Sequence, residues 1–107
     1  QQIVEEIERI ISTQYSSPLT IESIAKMLHF TPNYIGTVFK LVKKISINRY
    51  LTNVRIEKAE ELLRDNNYSI NDIAIMCGYN DITYFHTIFK KETGITPSEY
   101  RRRYANR

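Results

Sequence analysis

With 107 residues, a single cysteine and 42% hydrophobic residues, the chain holds one compact domain or two very small ones, which excludes a large enzyme, an intrachain disulfide and a cysteine-rich zinc fold. Its 15 basic residues outnumber 12 acidic ones only slightly, for a net charge of +3, but the balance is uneven: residues 1–30 carry Glu5, Glu6, Glu8 and Glu22 against Arg9 and Lys26, and the remainder is clearly basic. Such a field suits a polyanionic partner, although a solvated surface produces the same count.

No apolar run approaches the ~18 residues of a membrane span, and no charged-then-apolar leader opens the chain. The expected compartment is therefore a reducing cytoplasm, with no membrane partner. The absence of an initiating Met suggests a segment excised from a longer protein.

Ile3, Val4, Ile7, Ile10 and Ile11 form one stripe with Glu5, Glu6, Glu8 and Arg9 mostly off it, which predicts an opening amphipathic helix ending near Tyr15. Ser16-Ser17-Pro18 is a connector. Thr20 caps a short helix through Leu28, with Ile21, Ile24, Ala25 and Leu28 facing inward, and His29-Phe30 makes the turn. Thr31 followed by Pro32 pairs a cap with proline at the first helical position, where its missing N–H is harmless; this helix runs to about Lys43. Ser46 opens a longer helix in which Ile47, Tyr50, Leu51, Val54, Ala59, Leu62 and Leu63 are the expected buried positions, and Asp65-Asn66-Asn67 stops it.

Ser69 to Arg101 reads as two short amphipathic helices joined by a tight turn. Ser69 and Asp72 have the spacing of a capping box, Gly78 ends the first helix in the left-handed conformation, and Asn80 is expected to cap the second. Ile70, Ile73 and Ala74 face Tyr84, Phe85, Ile88 and Phe89 across the turn. The small Ala74, the turn glycine and the apolar Phe85 have helix-turn-helix spacing. Thr96-Pro97-Ser98-Glu99 joins a capping box to a first-position proline, predicting a terminal helix through Tyr100 with a basic end at Arg101, Arg102 and Arg103.

The chain contains its own relative. At one constant shift Ile21, Ile24, Ala25 and Met27 fall on Ile70, Ile73, Ala74 and Met76, and Phe30 falls on Tyr79. One extra residue in the second turn lengthens the shift, after which Tyr34, Thr37, Phe39, Lys40, Ile45 and Tyr50 fall on Tyr84, Thr87, Phe89, Lys90, Ile95 and Tyr100. The prediction is an all-α fold of about seven helices: a first helix-turn-helix subdomain over residues 1–46, a long linker helix over 47–66 and a second helix-turn-helix subdomain over 67–107. A helix of about 18 residues is roughly 27 Å long. That is the order of size needed to set two recognition helices ~34 Å apart on one face of a duplex.

Ile24-Ala25, Tyr34 to Lys40 (YIGTVFK), Tyr50-Leu51, Arg55-Ile56, Ala59, Leu62-Leu63, Ile73-Ala74 and Gly78-Tyr79 carry a family likeness. So does the run from Tyr84-Phe85 through Phe89-Lys90-Lys91, Gly94, Pro97 and Tyr100-Arg101. From about Ile3 to Arg103 the chain resembles the two-unit DNA-binding domain of AraC/XylS-type bacterial transcription regulators. The resemblance implies an all-helical fold that binds double-stranded DNA, each unit placing its second helix in successive major grooves. It also implies an activator that recruits or positions RNA polymerase, and a separate sensing domain or two-component receiver domain elsewhere in the full-length chain.

On this reading the base-contacting candidates are Asn33, Gly36 and Thr37 in the first unit and Thr83, His86 and Thr87 in the second. Asn33 suits an adenine edge, the threonines offer a base a hydroxyl or thymine a methyl contact, and His86 can donate to guanine or phosphate. The phosphate-contacting candidates are Lys40, Lys43, Lys90 and Lys91 with the hydroxyls of Tyr34 and Tyr84; capped helix starts at Thr20 and Ser69 add neutral donors. Each of these positions has a plainer alternative, a solvated surface residue. Arg101 to Arg103 either track the DNA backbone or complement a helix dipole.

Two positions depart from the family pattern. Thr37 and Thr87 stand where many relatives have arginine, which favours A·T-rich sites, and Lys44 stands where the second unit has Gly94, at a left-handed turn costing about 1 kcal/mol. His29, Phe39, Phe89 and Cys77 read as structural, and neither a metal nor a cofactor nor an enzymatic function is expected. The rival reading is a helical protein-protein interaction module without DNA binding. An RNA-binding reading is weaker because the tyrosines fall at core spacings rather than on an exposed sheet.

Overall fold

Helix starts in this chain are written by short polar side chains. In the computed structural model, which describes residues 1–105, seven α-helices follow one another: α1 Gln2–Gln14, α2 Ile21–Leu28, α3 Pro32–Lys43, α4 Ile47–Leu63, α5 Ile70–Met76, α6 Ile82–Thr93 and α7 Pro97–Tyr104. Thr31, Ser46 and Ser69 each accept a hydrogen bond from the backbone N–H three residues on, pairing an amide that has no partner within the helix. Thr20 with Ser23 and Thr96 with Glu99 go further and form reciprocal capping boxes.

Two expectations are corrected here. The cap of α6 is Asp81, whose carboxylate accepts from the Tyr84 N–H at 3.0 Å, and not Asn80, because the helix starts one residue later than the turn suggested. At Ser69 the hydroxyl accepts from the Asp72 N–H, which is the Ser69 half of the box alone, whereas Thr20 and Ser23 form both halves. The terminal helix spans Pro97–Tyr104 with Arg101, Arg102 and Arg103 as its expected basic end.

Helix ends separate the two repeats. The α5 end is a Schellman turn: Tyr79 N–H reaches Ala74 C=O at 2.9 Å and Gly78 N–H reaches Ile75 C=O at 3.0 Å, with Gly78 at φ 97°. The α2 end makes the same pair of bonds, Phe30 to Ala25 at 3.0 Å and His29 to Lys26 at 3.2 Å, but the left-handed residue is His29 at φ 61°. The ends of α3 and α6 repeat the contrast, with Lys44 at φ 68° where the second repeat has Gly94 at φ 89°. Lys44 is left-handed as expected; its companion His29 was not anticipated.

The chain packs as two compact units that divide between Val54 and Arg55, inside α4. Val4, Ile7, Ile10 and Ile11 of α1, Ile24 and Ala25 of α2, Ile35 and Phe39 of α3, and Ile47 and Leu51 of α4 make the first core. The second core takes Ile56, Ala59 and Leu63 from α4, Ile73 and Ala74 from α5, Phe85 and Phe89 from α6, and Tyr100 from α7. The helix expected as a linker thus supplies core residues to both units.

The repeat therefore extends beyond what the sequence comparison showed. Val4, Ile7, Glu8 and Ile11 recur as Ile56, Ala59, Glu60 and Leu63, so the second half of α4 serves its unit as α1 serves the first. Likewise the first half of α4 corresponds to α7: Tyr50 stands edge-on to Phe39 with centroids 5.5 Å apart, and Tyr100 edge-on to Phe89 at 5.6 Å. Ile56, only 5% exposed, was not expected in the core. It belongs to the i, i+3, i+7 stripe of Ile56, Ala59 and Leu63, which is out of phase with Ile47 and Leu51.

Candidate nucleic-acid interface

The recognition helices of the two repeats have the same burial pattern residue for residue from 31–40 and 81–90. Ile35 and Phe39 in α3, and Phe85 and Phe89 in α6, are completely buried, as expected for the two phenylalanines. Their packing against the core turns the opposite face outward. Asn33, Tyr34, Thr37 and Lys40 are exposed on α3, as are Thr83, Tyr84, Thr87, Lys90 and Lys91 on α6, while Gly36 and His86 are half-buried. Every residue assigned to a base or phosphate contact thus lies on an accessible part of its helix, apart from partial cover at Gly36 and His86.

In the first unit the Tyr34 ring is held by Phe30 at a centroid distance of 5.2 Å. Lys43 is already engaged: its Nζ lies 3.0 Å from Glu8 and 6.0 Å from the Tyr50 ring centroid. The Glu8 hydrogen bond and charge raise the Lys43 pKa above the usual lysine value. A phosphate must compete with Glu8 for this ammonium, unlike Lys40.

A shallow groove follows the outer face of α3. Ile21 of α2 and Pro32, Asn33, Gly36, Thr37, Lys40 and Leu41 of α3 line it. From sequence Ile21 is expected to face inward and Pro32 to start α3, and Leu41 has no assigned role; none of the three is expected at the interface. The signal that marks Leu41 was present: it falls outside the Ile35 and Phe39 stripe, and it is 67% exposed.

In the second unit the Tyr84 ring lies 5.9 Å from that of Tyr79, which in turn sits beneath the Arg55 guanidinium at 5.4 Å. The His86 imidazole is edge-on to Phe85 at 6.0 Å. Thr87 donates its hydroxyl proton to the Thr83 carbonyl at 3.1 Å, so towards a ligand it offers oxygen lone pairs and a methyl group. Arg101 donates to the carbonyls of Leu63 at 3.2 Å and Asp65 at 3.0 Å, pairing the end of α4. That structural role removes it from the surface arginines Arg102 and Arg103.

Cys77 is fully buried, and burial pushes its thiol up to about 11, which keeps it protonated and a poor nucleophile. No group of three or more His, Cys, Asp or Glu side chains among the described residues is placed to hold a metal ion, and no described helix is long and apolar enough to cross a membrane.

Comparison with known proteins places these features. A family model described as a helix-turn-helix domain matches residues 24–103. The HTH-type transcriptional regulator YijO of Escherichia coli is 38% identical over 104 residues, covering 97% of this chain and 37% of that protein. The bifunctional transcriptional activator/DNA repair enzyme AdaA of Bacillus subtilis is 38% identical over 98 residues, covering 92% of this chain and 46% of that protein. Among solved structures, the C-terminal domain of AraT, a response regulator from Geobacillus stearothermophilus, superimposes with a TM-score of 0.97 at 37% identity, covering 100% of this chain and 89% of that one. The chain thus spans less than half the length of these two curated relatives.

Proposed function

This chain belongs to the AraC-type helix-turn-helix family, and from that premise we propose that it binds double-stranded DNA sequence-specifically and regulates transcription, α3 and α6 each entering a major groove. One observation carries the reading: the outward faces of α3 and α6 present matching small, hydrogen-bonding and cationic side chains, at Asn33, Thr37 and Lys40 and again at Thr83, Thr87 and Lys90. Side chains of this size reach base edges without holding the helix away from the groove, and the lysines supply phosphate contacts.

Asn33, Gly36, Thr37, Thr83, His86 and Thr87 are proposed to face bases. Tyr34, Lys40, Lys43, Tyr84, Lys90 and Lys91 are proposed to face phosphates, with Lys43 the weakest because of its ion pair with Glu8. The role is binding rather than catalysis, in the cytoplasm. RNA polymerase and a sensing or receiver domain are the proposed partners, consistent with the likeness to a response-regulator C-terminal domain and with the larger size of the curated relatives.

Selection of bound duplexes from a random pool, followed by titration in rising salt, tests this. The expected result is a defined binding site spanning about two helical turns. Its affinity should fall steeply between about 50 and 200 mM salt as phosphate neutralisation releases counterions. No enrichment of sequence, or an affinity flat with salt, would overturn it in favour of a protein-protein interaction module.

A further inference from the structure

We infer that the first unit recognises thymine through its C5-methyl group, using the apolar side chains of Ile21 and Leu41 that line the groove over the outer face of α3. The inference rests on the DNA-binding reading above and assigns a base chemistry to one of its two units.

Gly36 is the starting point. A glycine inside a helix costs about 1 kcal/mol relative to alanine, so its presence in a recognition helix calls for a reason. A Cβ built there would stand 3.1 Å from Ile21 Cδ1, tighter than ordinary contact. With a β-carbon there, the Ile21 tip would have to give by a few tenths of an ångström; without one, Ile21, the first residue of α2, lies directly against α3. Leu41, one helical turn beyond Thr37, lines the same groove on the side away from Gly36 and is 67% exposed.

Apolar side chains lining an open groove favour a partner that also removes apolar surface from water. In the major groove the thymine C5-methyl is that partner, since the other exposed base edges are hydrogen-bond donors and acceptors. The rest of the lining suits the same setting. Asn33, Thr37 and Lys40 lie between Gly36 and Leu41 around the α3 axis, and Lys40 is the one charged residue among those lining the groove, so nothing acidic there repels a phosphate backbone.

The second unit replaces this chemistry. His86 stands at the position of Gly36, and Lys91 at that of Leu41. An imidazole and an ammonium suit guanine acceptors and phosphate rather than methyl groups. The repeated architecture therefore holds two unlike readers, and the half-site under the first unit is thymine-rich.

The experiment uses the duplex selected from a random pool, with each thymine replaced in turn by uracil, which removes only the methyl. For the unaltered chain, uracil is expected to weaken binding about fourfold at one or more positions, the equivalent of ~0.8 kcal/mol per buried methyl. Leu41→Lys is expected to bring the thymine-to-uracil ratio at those positions close to one; because Leu41 is largely exposed, this variant keeps its helix, as circular dichroism will show. A ratio near one at every position in the unaltered chain overturns the inference while leaving DNA binding standing. So does a ratio that Leu41→Lys does not change. Failure to select any duplex instead overturns the DNA-binding reading, and this inference with it.

Discussion

Thr37 and Lys40 sit three residues apart on one exposed surface yet are expected to do different work. Replacing Thr37 or Thr87 with alanine removes a methyl and a hydroxyl without touching the core, so preference should relax at individual base positions while affinity for other sequences holds. Lys40→Ala should weaken every duplex alike and lower the slope of log affinity against log salt by about one. Lys43→Ala should lower it less, because Glu8 already holds that ammonium. Anisotropy titrations on the selected duplex and on single-base variants check all of these; equal losses on every sequence from the threonine changes would remove them from the base-reading set. The outward positions of α3 and α6 were legible from spacing alone, since Phe39 and Phe89 had to point inward. The Glu8–Lys43 pair was not, because its partners are far apart in sequence and only folding brings α1 beside α3.

Helix termini set the stability of each element, and here charge and backbone strain make separate predictions. Thr96 donates its hydroxyl and backbone N–H to the Glu99 carboxylate, lowering the Glu99 pKa below the usual carboxylate value. A lowered folded pKa means that this contribution is complete above the ordinary carboxylate range and lost as pH falls through the folded value. Glu60 has the opposite sign: burial raises its pKa, so its contribution is complete below the ordinary value and lost as pH rises through the raised one. Glu99→Gln should therefore flatten the acid side of the melting-temperature profile, and Glu60→Gln should remove the decline above the ordinary carboxylate range.

The left-handed ends give the other prediction. His29 and Lys44 occupy a backbone region where a β-carbon is strained, whereas Gly78 and Gly94 do not carry one. His29→Gly and Lys44→Gly should each stabilise the first unit by about 1 kcal/mol in urea unfolding. Gly94→Ala should destabilise the second by a similar amount even though nothing lies within 4 Å of the added carbon, because the cost is conformational.

At the scale of the molecule, α4 is the decisive element: one helix gives Ile47 and Leu51 to one core and Ile56, Ala59 and Leu63 to the other. Large-to-small changes in its two halves should therefore be felt in different places. Leu51→Ala should lower hydrogen-exchange protection in the first unit and Leu63→Ala in the second, each by about 2–5 kcal/mol. Equal loss of protection in both units from either change would show that the cores unfold together.

By itself the amino-acid order determined the helical class, the positions of most helices, the duplication and the outward faces of α3 and α6, because these follow from local rules: apolar period, capping hydroxyls and glycine turns. Only the tertiary structure decided that α4 is shared between two cores, that Ile56 is buried, that Lys43 and Arg101 are occupied by partners, and that Ile21 lies across Gly36. Those facts depend on contacts between residues far apart in sequence, and a periodic pattern read along one helix carries no information about which neighbour its face will meet.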